Sequence, residues 1–293
     1  QGMSIPDRSG EMINGRYRLA RLIGRGAMAD VFVAFDTANG SEVAVKILRL
    51  SVASDREVVA RFAREAQVQR MIRHRNVAAM YDSGVTARNE PFLVLELLRG
   101  KSLRTVIKSQ GPISIARAAS YVWQAVQGLA VVHAQGILHR DLKPANLMLE
   151  PSEGPVERVI VIDFGFASLA GDARLTQKGT VVGSLNYMAP ERMRGESGDA
   201  RSDLYAMGVI WFELLTGSAP YVHDDDMDTI RAHLSEPVPK LASLRPELGA
   251  VGPLIDEVLA RALAKLPNER FATALEMAAA IEQAARRFPP EIR

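Results

Sequence analysis

An α+β protein in two lobes is the fold class this sequence predicts. Three observations predict it: short strand-like runs in the first third, long helical patterns in the remainder, and one change of character near residues 96–100. Residues 17–23, 30–36 and 42–48 are rich in valine, leucine and alanine, with turn signals at 24–26 and 37–40 between them. A helix is expected to start near Ser54 or Asp55 as N-cap, with Val58, Val59, Phe62, Ala66 and Met71 near helical spacing. Residues 92–97 read as another strand, punctuated by Arg99-Gly100. Beyond Gly100, residues 114–134, 201–216, 251–264 and 273–286 carry apolar side chains at i, i+3, i+4 spacing and read as helices.

Composition narrows the function. The 293 residues are 47% hydrophobic and 24% charged, enough apolar side chain for a sizeable core. With no cysteine there is no disulfide framework and no thiolate metal site, which agrees with a reducing compartment; a cytoplasmic location is expected. A net charge of +2 is too small to argue for nucleic acid or a membrane surface. No apolar run approaches the roughly 20 residues that span a bilayer, so no membrane span is expected in this chain. Gln1 and Gly2 precede Met3 and read as a remnant of expression, which leaves room for a longer parent with further regions beyond residue 293.

Four motifs carry chemistry. In residues 24–31, Gly24 and Gly26 let the backbone turn tightly and approach phosphate oxygens, although a plain hairpin turn is an equal reading of the fragment alone. Lys46 ends the apolar run Val43-Ala44-Val45 and needs an acidic partner to fix its ammonium against phosphates. Glu65 is the candidate, three residues after the inward-facing Phe62; a solvated pair with Arg61 is the rival. Residues 139–146, His-Arg-Asp-Leu-Lys-Pro-Ala-Asn, give the strongest signal. There Asp141 can accept the proton of an attacking hydroxyl and Lys143 can neutralise charge on a transferred phosphoryl group. Asn146 offers an oxygen to a hard cation such as Mg²⁺. His139 is expected to pack and hydrogen-bond. The run 159–162 then delivers Asp163 at its end, a natural second Mg²⁺ ligand, ahead of Phe164-Gly165.

Together these motifs resemble the eukaryotic-like (Hanks-type) serine/threonine protein kinases, particularly bacterial ones, in unbroken order over roughly residues 17–284. The resemblance implies a bilobal protein kinase fold: an N-terminal antiparallel β-sheet lobe with one regulatory helix over 17–98, and a larger, mainly helical lobe over 99–286. It implies transfer of the γ-phosphoryl of ATP, with Mg²⁺ or Mn²⁺, to Ser or Thr hydroxyls of protein substrates. It assigns catalysis to Lys46, Glu65, Asp141 and Lys143, and metal binding to Asn146 and Asp163. Nucleotide contact falls to Ile23, Gly24, Gly26, Val31, Ala44, Lys46, Leu95, Glu96, Leu97 and Met148. Ala189-Pro190-Glu191 resembles the end of the activation segment, Arg270 the arginine that pairs with Glu191, and Asp203 the aspartate that braces the catalytic loop. Three departures stand out: Ala29 for the third glycine, Gln69 at a usually apolar helix position, and a long polar connection over 150–158, expected to be a solvent loop. His223-Asp224-Asp225-Asp226 is read as a helix cap and not as a metal cluster.

Two other functions compete with this one. A pseudokinase would be marked by loss of one of the six polar residues just named, and none is missing. A small-molecule kinase on a related fold fits poorly with the full segment ending in Ala189-Pro190-Glu191. Arg140, beside Asp141, calls for an anion, which a phosphorylated activation segment would supply. Thr176 is the first candidate for that modification and Thr180 the second. A dimer of kinase domains is the expected route to phosphorylation in trans.

Overall fold

The computed structural model describes residues 7–26, 29–49, 56–163 and 185–292. The chain divides into one compact unit of Gln1–Arg73 with Ala78–Arg99, and a second of His74–Val77 with Gly100–Arg293. The first is an antiparallel sheet with one helix and the second is mainly helical, so the fold is the expected α+β one.

In the first unit, β1 (Met12–Ile13), β2 (Tyr17–Arg25), β3 (Ala29–Asp36), β4 (Glu42–Leu48), β5 (Met80–Val85) and β6 (Pro91–Leu95) form a sheet in the order β1-β2-β3-β4-β6-β5. The β3–β4 hairpin closes on Asp36. Its backbone N–H donates to Ser41 O at 2.9 Å, and Gly40, at φ 73°, takes the left-handed conformation that this turn needs. Arg16 grips the Asp36 carboxylate with two bonds of 2.8 Å and holds its carboxyl below the usual range.

Register sorts the side chains. On one face Phe32 lies opposite Val45, Ala34 opposite Val43, Val45 opposite Val94 and Ile47 opposite Phe92. With Ile13, Tyr17 and Leu19 these residues make a closed apolar cluster. Val31, Ala44, Lys46 and Leu95 alternate with them and so share the other face. Helix α1 (Arg56–Gln69) turns Phe62 and Ala66 inward. Met71, expected on its apolar stripe, instead lies past the helix end and is exposed, because the chain has already turned at Arg70-Met71. Strand β5 and the segment before Tyr17 carried no sequence signal. That segment is tied down by Arg8, which bonds Glu11 at 2.6 and 2.8 Å and Glu90 at 3.1 and 2.8 Å.

The second unit holds a small sheet of β7 (Lys101–Ser102), β8 (Leu147–Glu150) and β9 (Arg158–Val161). Its helices are α2 (Leu103–Gln110), α3 (Ile115–Ala134), α4 (Pro190–Met193), α5 (Ala200–Thr216), α6 (Asp226–Ser235), α7 (Leu241–Leu244), α8 (Val251–Ala262) and α9 (Ala274–Arg286). Side-chain caps fix where several begin: Ser102, Ser114, Asp225 and Thr273 each accept from a first-turn N–H, and Asp199 forms a capping box with Ser202. Helix α5 is buried on every side from Asp203 to Phe212, so its sequence is apolar all round. Asn76 joins the unit through its amide, which donates to Gln124 Oε1 at 3.1 Å and Val159 O at 2.8 Å. Helix α3 comes so close there that a Cβ on Gly128 would sit 2.7 Å from Asn76 O. The polar connection between β8 and β9 is exposed at Glu153-Gly154-Pro155 but anchored at Glu157, which accepts from Tyr121 Oη at 2.8 Å and Arg117 at 3.1 Å.

Two buried polar groupings hold the helices in register. Arg270 donates to both Glu191 oxygens at 2.7 Å, and Ser202 Oγ adds a third bond at 2.7 Å. The Arg270 guanidinium also lies 4.9 Å from the Tyr205 ring centre. His233 on α6 is fully buried; its Nδ1 meets Tyr205 Oη at 2.7 Å, and its ring packs edge-on to Tyr221 at 5.0 Å. Burial, with Lys265 nearby, pushes the His233 imidazole down to about 4.

An acid-stability prediction follows from His233. Its folded pKa lies below the ordinary value of 6.5, so the unfolded chain takes up the proton first. This contribution is complete above pH 6.5 and is lost as pH falls toward 4, about 3 kcal/mol in all. Urea unfolding across that window is expected to show a clearly flatter pH dependence in His233→Phe than in the parent. Equal slopes would place the acid sensitivity elsewhere.

Candidate active site

The first unit presents a face suited to a flat apolar group ending in phosphates. Val31, Ala44 and Leu95 are brought into register around Lys46: Val31 lies opposite Lys46, and Leu95 opposite Ala44. Lys46 is buried to 9% exposure, an uncommon state for a lysine and one that demands anionic or hydrogen-bonding company. Glu65 is half-buried on α1 in the same unit, one residue before the buried Ala66. Gln69 is buried at the end of that helix, so the polar departure from the apolar pattern faces inward.

Gly24 and Gly26 differ from expectation. Strand β2 runs on through Arg25, so Gly24 is a strand residue opposite Val31 and not part of a turn. Neither glycine takes a positive φ, and a Cβ on Gly24 would approach Val31 no closer than 3.6 Å. What the two contribute is a bare backbone, with Gly26 N–H donating to Ala29 O at 2.9 Å. Ile23 falls at the irregularity between Leu22 and Gly24 in the β2–β3 pairing and is 42% exposed.

Beyond β6 the chain leaves the sheet, earlier than the expected 92–97. Glu96 and Leu97 therefore lie outside the ladder, and Glu96 N–H donates to Ala79 O at 2.9 Å. Among the described residues no acceptor meets the Leu97 N–H.

In the second unit the loop 137–146 is organised by one buried carboxylate. Asp203 accepts from His139 N–H at 2.9 Å, from Arg140 N–H at 3.0 Å and meets His133 Nε2 at 2.7 Å. Burial alone would raise its pKa. The bond from His133, followed by weaker contributions that include the Arg140 N–H, outweighs burial and keeps the carboxyl below its ordinary range. Arg140 is thereby held at φ 69°, a conformation costing of order 1–3 kcal/mol for a non-glycine residue. His139 is fully buried. Its Nδ1 accepts from Asp141 N–H at 3.1 Å, which leaves Nε2 to donate to Ile162 O at 2.7 Å. As expected, it packs and hydrogen-bonds within the loop.

These bonds bring Asp141, Lys143, Asn146 and Asp163 together. Lys143 Nζ lies 3.5 Å from Asp141 Oδ2, both side chains half-buried. Asn146 Nδ2 donates to Asp141 O at 2.8 Å, which settles the amide orientation and turns Oδ1 to the opposite side. Ile162 N–H donates to Asn146 O at 3.0 Å, placing Asp163 one residue from that contact. Asp163 also has a positive φ, 58°. Two non-glycine residues at positive φ, Arg140 within the loop and Asp163 just past β9, are the kind of feature that marks a functional site. An amide oxygen and a carboxylate are hard donors, so the pair fits Mg²⁺ or Mn²⁺. Met148 is half-buried on β8, opposite Ile160.

Sequence reasoning missed two contributors. His133 lies on the largely apolar α3, and no local pattern marks it as a partner of Asp203. Tyr187 Oη donates to Glu213 at 2.6 Å, and burial raises the Glu213 carboxyl. Phe164, Thr176 and Thr180 lie outside the described residues.

The protein kinase domain family matches residues 17–281. Serine/threonine-protein kinase PknD of Mycobacterium tuberculosis is 38% identical over 270 residues, 92% of this chain and 40% of that protein. PknB of Mycobacterium leprae is 38% identical over 284 residues, 95% of this chain and 44% of that protein. The chain thus spans about two fifths of the length of the curated relatives it matches. The Mycobacterium tuberculosis PknI kinase domain superposes with a TM-score of 0.73 at 27% identity, covering 95% of this chain and 98% of that one. This chain belongs to the protein kinase domain family and resembles its bacterial serine/threonine members over nearly its whole length.

Proposed function

We propose that this domain transfers the γ-phosphoryl group of ATP to serine or threonine hydroxyls of protein substrates. The observation that carries the reading is the Asp141–Lys143 pair, 3.5 Å apart on a loop held by buried Asp203. A carboxylate next to an ammonium, both half-exposed, can accept a hydroxyl proton and neutralise a phosphoryl oxygen in the same step. Asp141 takes the role of base, and Lys143 that of charge stabiliser. Lys46, positioned by Glu65, is assigned to the phosphates, and adenine contact is assigned to Ile23, Val31, Ala44 and Leu95 in the first unit and to Met148 in the second. The free Leu97 N–H and the backbone at Glu96 suit the adenine edge, and the bare backbone at Gly24 and Gly26 suits the phosphates.

Protein kinases use a divalent cation with ATP. Asn146 and Asp163 would hold it here, and the chemistry it supplies when bound is neutralisation of charge on the phosphates. The site does not discriminate Mg²⁺ from Mn²⁺. Asp141→Asn is expected to fold and bind ATP while losing roughly 10²- to 10⁴-fold in turnover, measured by phosphate transfer to a generic protein substrate; retained turnover would remove Asp141 from its role.

Lys46→Met is expected to abolish turnover and Glu65→Gln to reduce it by the same route. The double variant should then be hardly slower than Lys46→Met alone, since residues acting as one unit are non-additive. Clearly additive losses in single-turnover rates would mean that the two do not act as a pair.

Regulation follows from Arg140, which is half-buried and, among the described residues, forms no ion pair. A phosphothreonine would meet its guanidinium with suitable geometry. Autophosphorylation is assigned to Thr176, with Thr180 second, in a cytoplasmic kinase domain that dimerises to act in trans. Phosphosite mapping after incubation with ATP and Mg²⁺ is expected to find one of these threonines, and its alanine variant is expected to be slower. If neither is modified, or both alanine variants match the parent, this regulatory reading is wrong.

A further inference from the structure

Lys265 stands in an unusual setting in the second unit, remote in sequence from the catalytic loop. Its side chain is half-buried, and its Nζ donates to Tyr221 Oη at 3.1 Å and to Ala232 O at 3.2 Å. It also lies 4.4 Å from the Tyr221 ring centre. Among the described residues no carboxylate comes within ion-pair reach of it. The groups facing it are Tyr221, His233 and Glu236 from α6 and its flanks, and Arg270, whose guanidinium donates to Lys265 O at 3.1 Å.

Both recorded acceptors are neutral. A free amine has two N–H bonds, one for each of them, and keeps its lone pair; an ammonium carries a third proton that finds no carboxylate here. Burial, against the pull of Glu236 and with Arg270 nearby, lowers the Lys265 amine to about 8, so about a tenth is free base at pH 7 and about half at pH 8. An uncharged, fixed amine is the form of lysine that acts as a nucleophile.

The same two bonds form a latch. Ala232 O belongs to the last turn of α6, and Tyr221 Oη donates onward to Glu236 O at 3.0 Å, just past that helix. Helix α6 packs against α4 and against residues 185–187, so its C-terminal end is pinned by Lys265 while its body supports the end of the activation segment.

We propose that Lys265 is a modification site whose ε-amino group takes an acyl group from acyl phosphates or acyl thioesters, and that amide formation releases α6 from this latch. In the step the amine nitrogen attacks the acyl carbon and an N–C bond forms. The C–O or C–S bond breaks, and phosphate or thiolate leaves with the electron pair. The displaced proton passes to the leaving group or to water. The amide that results has a single N–H and no charge, so it cannot hold both Tyr221 and Ala232. The link from α6 to substrate docking rests on the kinase reading above; the modification itself does not.

The chain is incubated with acetyl phosphate at pH 8, and lysine occupancy is followed by peptide mass mapping. On free-base fraction, Lys265 is expected to react at least about 10-fold faster than the exposed Lys101, Lys108 and Lys240. Reaction at their rate or slower overturns the site. Hydrogen exchange is then compared between acetylated parent and Lys265→Arg treated in the same way. Faster exchange in residues 226–235 of the acetylated parent alone is expected; equal exchange overturns the latch. Neither readout requires kinase activity, so failure here and failure of the kinase assignment are told apart.

Discussion

The second unit depends on one buried carboxylate. Asp203 sits at 3% exposure on a helix that is apolar on every side, a position where an unpaired charge would be strongly destabilising. It is tolerated because three donors converge on it, two of them backbone N–H groups of the loop bearing Asp141. Those N–H groups point inward only if Arg140 adopts a positive φ. The strain at Arg140 and the satisfaction of Asp203 are therefore one constraint seen from two sides. The loop cannot relax to a more comfortable conformation without orphaning a buried charge.

From that anchor order spreads outward through short bonds. His139 links the loop to Ile162 O, Asn146 O receives Ile162 N–H, and Val161 N–H reaches Asn76 O. The backbone leading to Asp163 is thus held at Val161 and Ile162, just ahead of a second positive φ. Separately, the Arg270–Glu191 pair ties the helix after Ala189 to the far end of the chain, fully desolvated and bidentate. Removing either partner of such a pair typically costs about 3–5 kcal/mol, because the other is left buried and alone. The site is held by satisfied buried charge, which makes it rigid and leaves few alternative arrangements.

Most of this architecture was legible in the residues. Runs rich in valine, leucine and alanine between turn signals marked β3 and β4, and helical spacing marked α3, α5, α8 and α9 to within a residue or two at most ends. The order of motifs then located Asp141, Lys143, Asn146 and Asp163. What could not be read has physical reasons. Strand β5, Met80-Tyr81-Asp82-Ser83-Gly84-Val85, is the edge of its sheet; its exposed residues are Tyr81 and Val85 while Asp82 and Ser83 are half-buried, so no alternation of apolar and polar residues marks it. Segment 7–16 is held by Arg8 and its two glutamates, a long-range ion network that leaves no periodic trace. Helix α1 stops before Met71, although the apolar spacing continues, because spacing reports which face a residue would take and not where the helix ends.

His133 shows the limit most clearly. On sequence it is one polar residue near the end of a long apolar helix, and the bland reading of such a histidine is a packed core residue. In the structure it supplies the donor that, with two backbone N–H groups, lets a fully buried aspartate stay ionised. Its contribution exists only once α3 and α5 are packed, since the two residues are 70 positions apart. Lys265 belongs to the same class: unremarkable beside Leu266 and Pro267, yet set against Tyr221 and Ala232 by tertiary packing. Motifs reveal groups that act on a substrate, because that chemistry needs several residue types at fixed spacing. Groups that act on other residues are visible in sequence only where a motif carries them, as with Asp203 and Arg270; His133 and Lys265 lie outside any motif and are seen only in the fold.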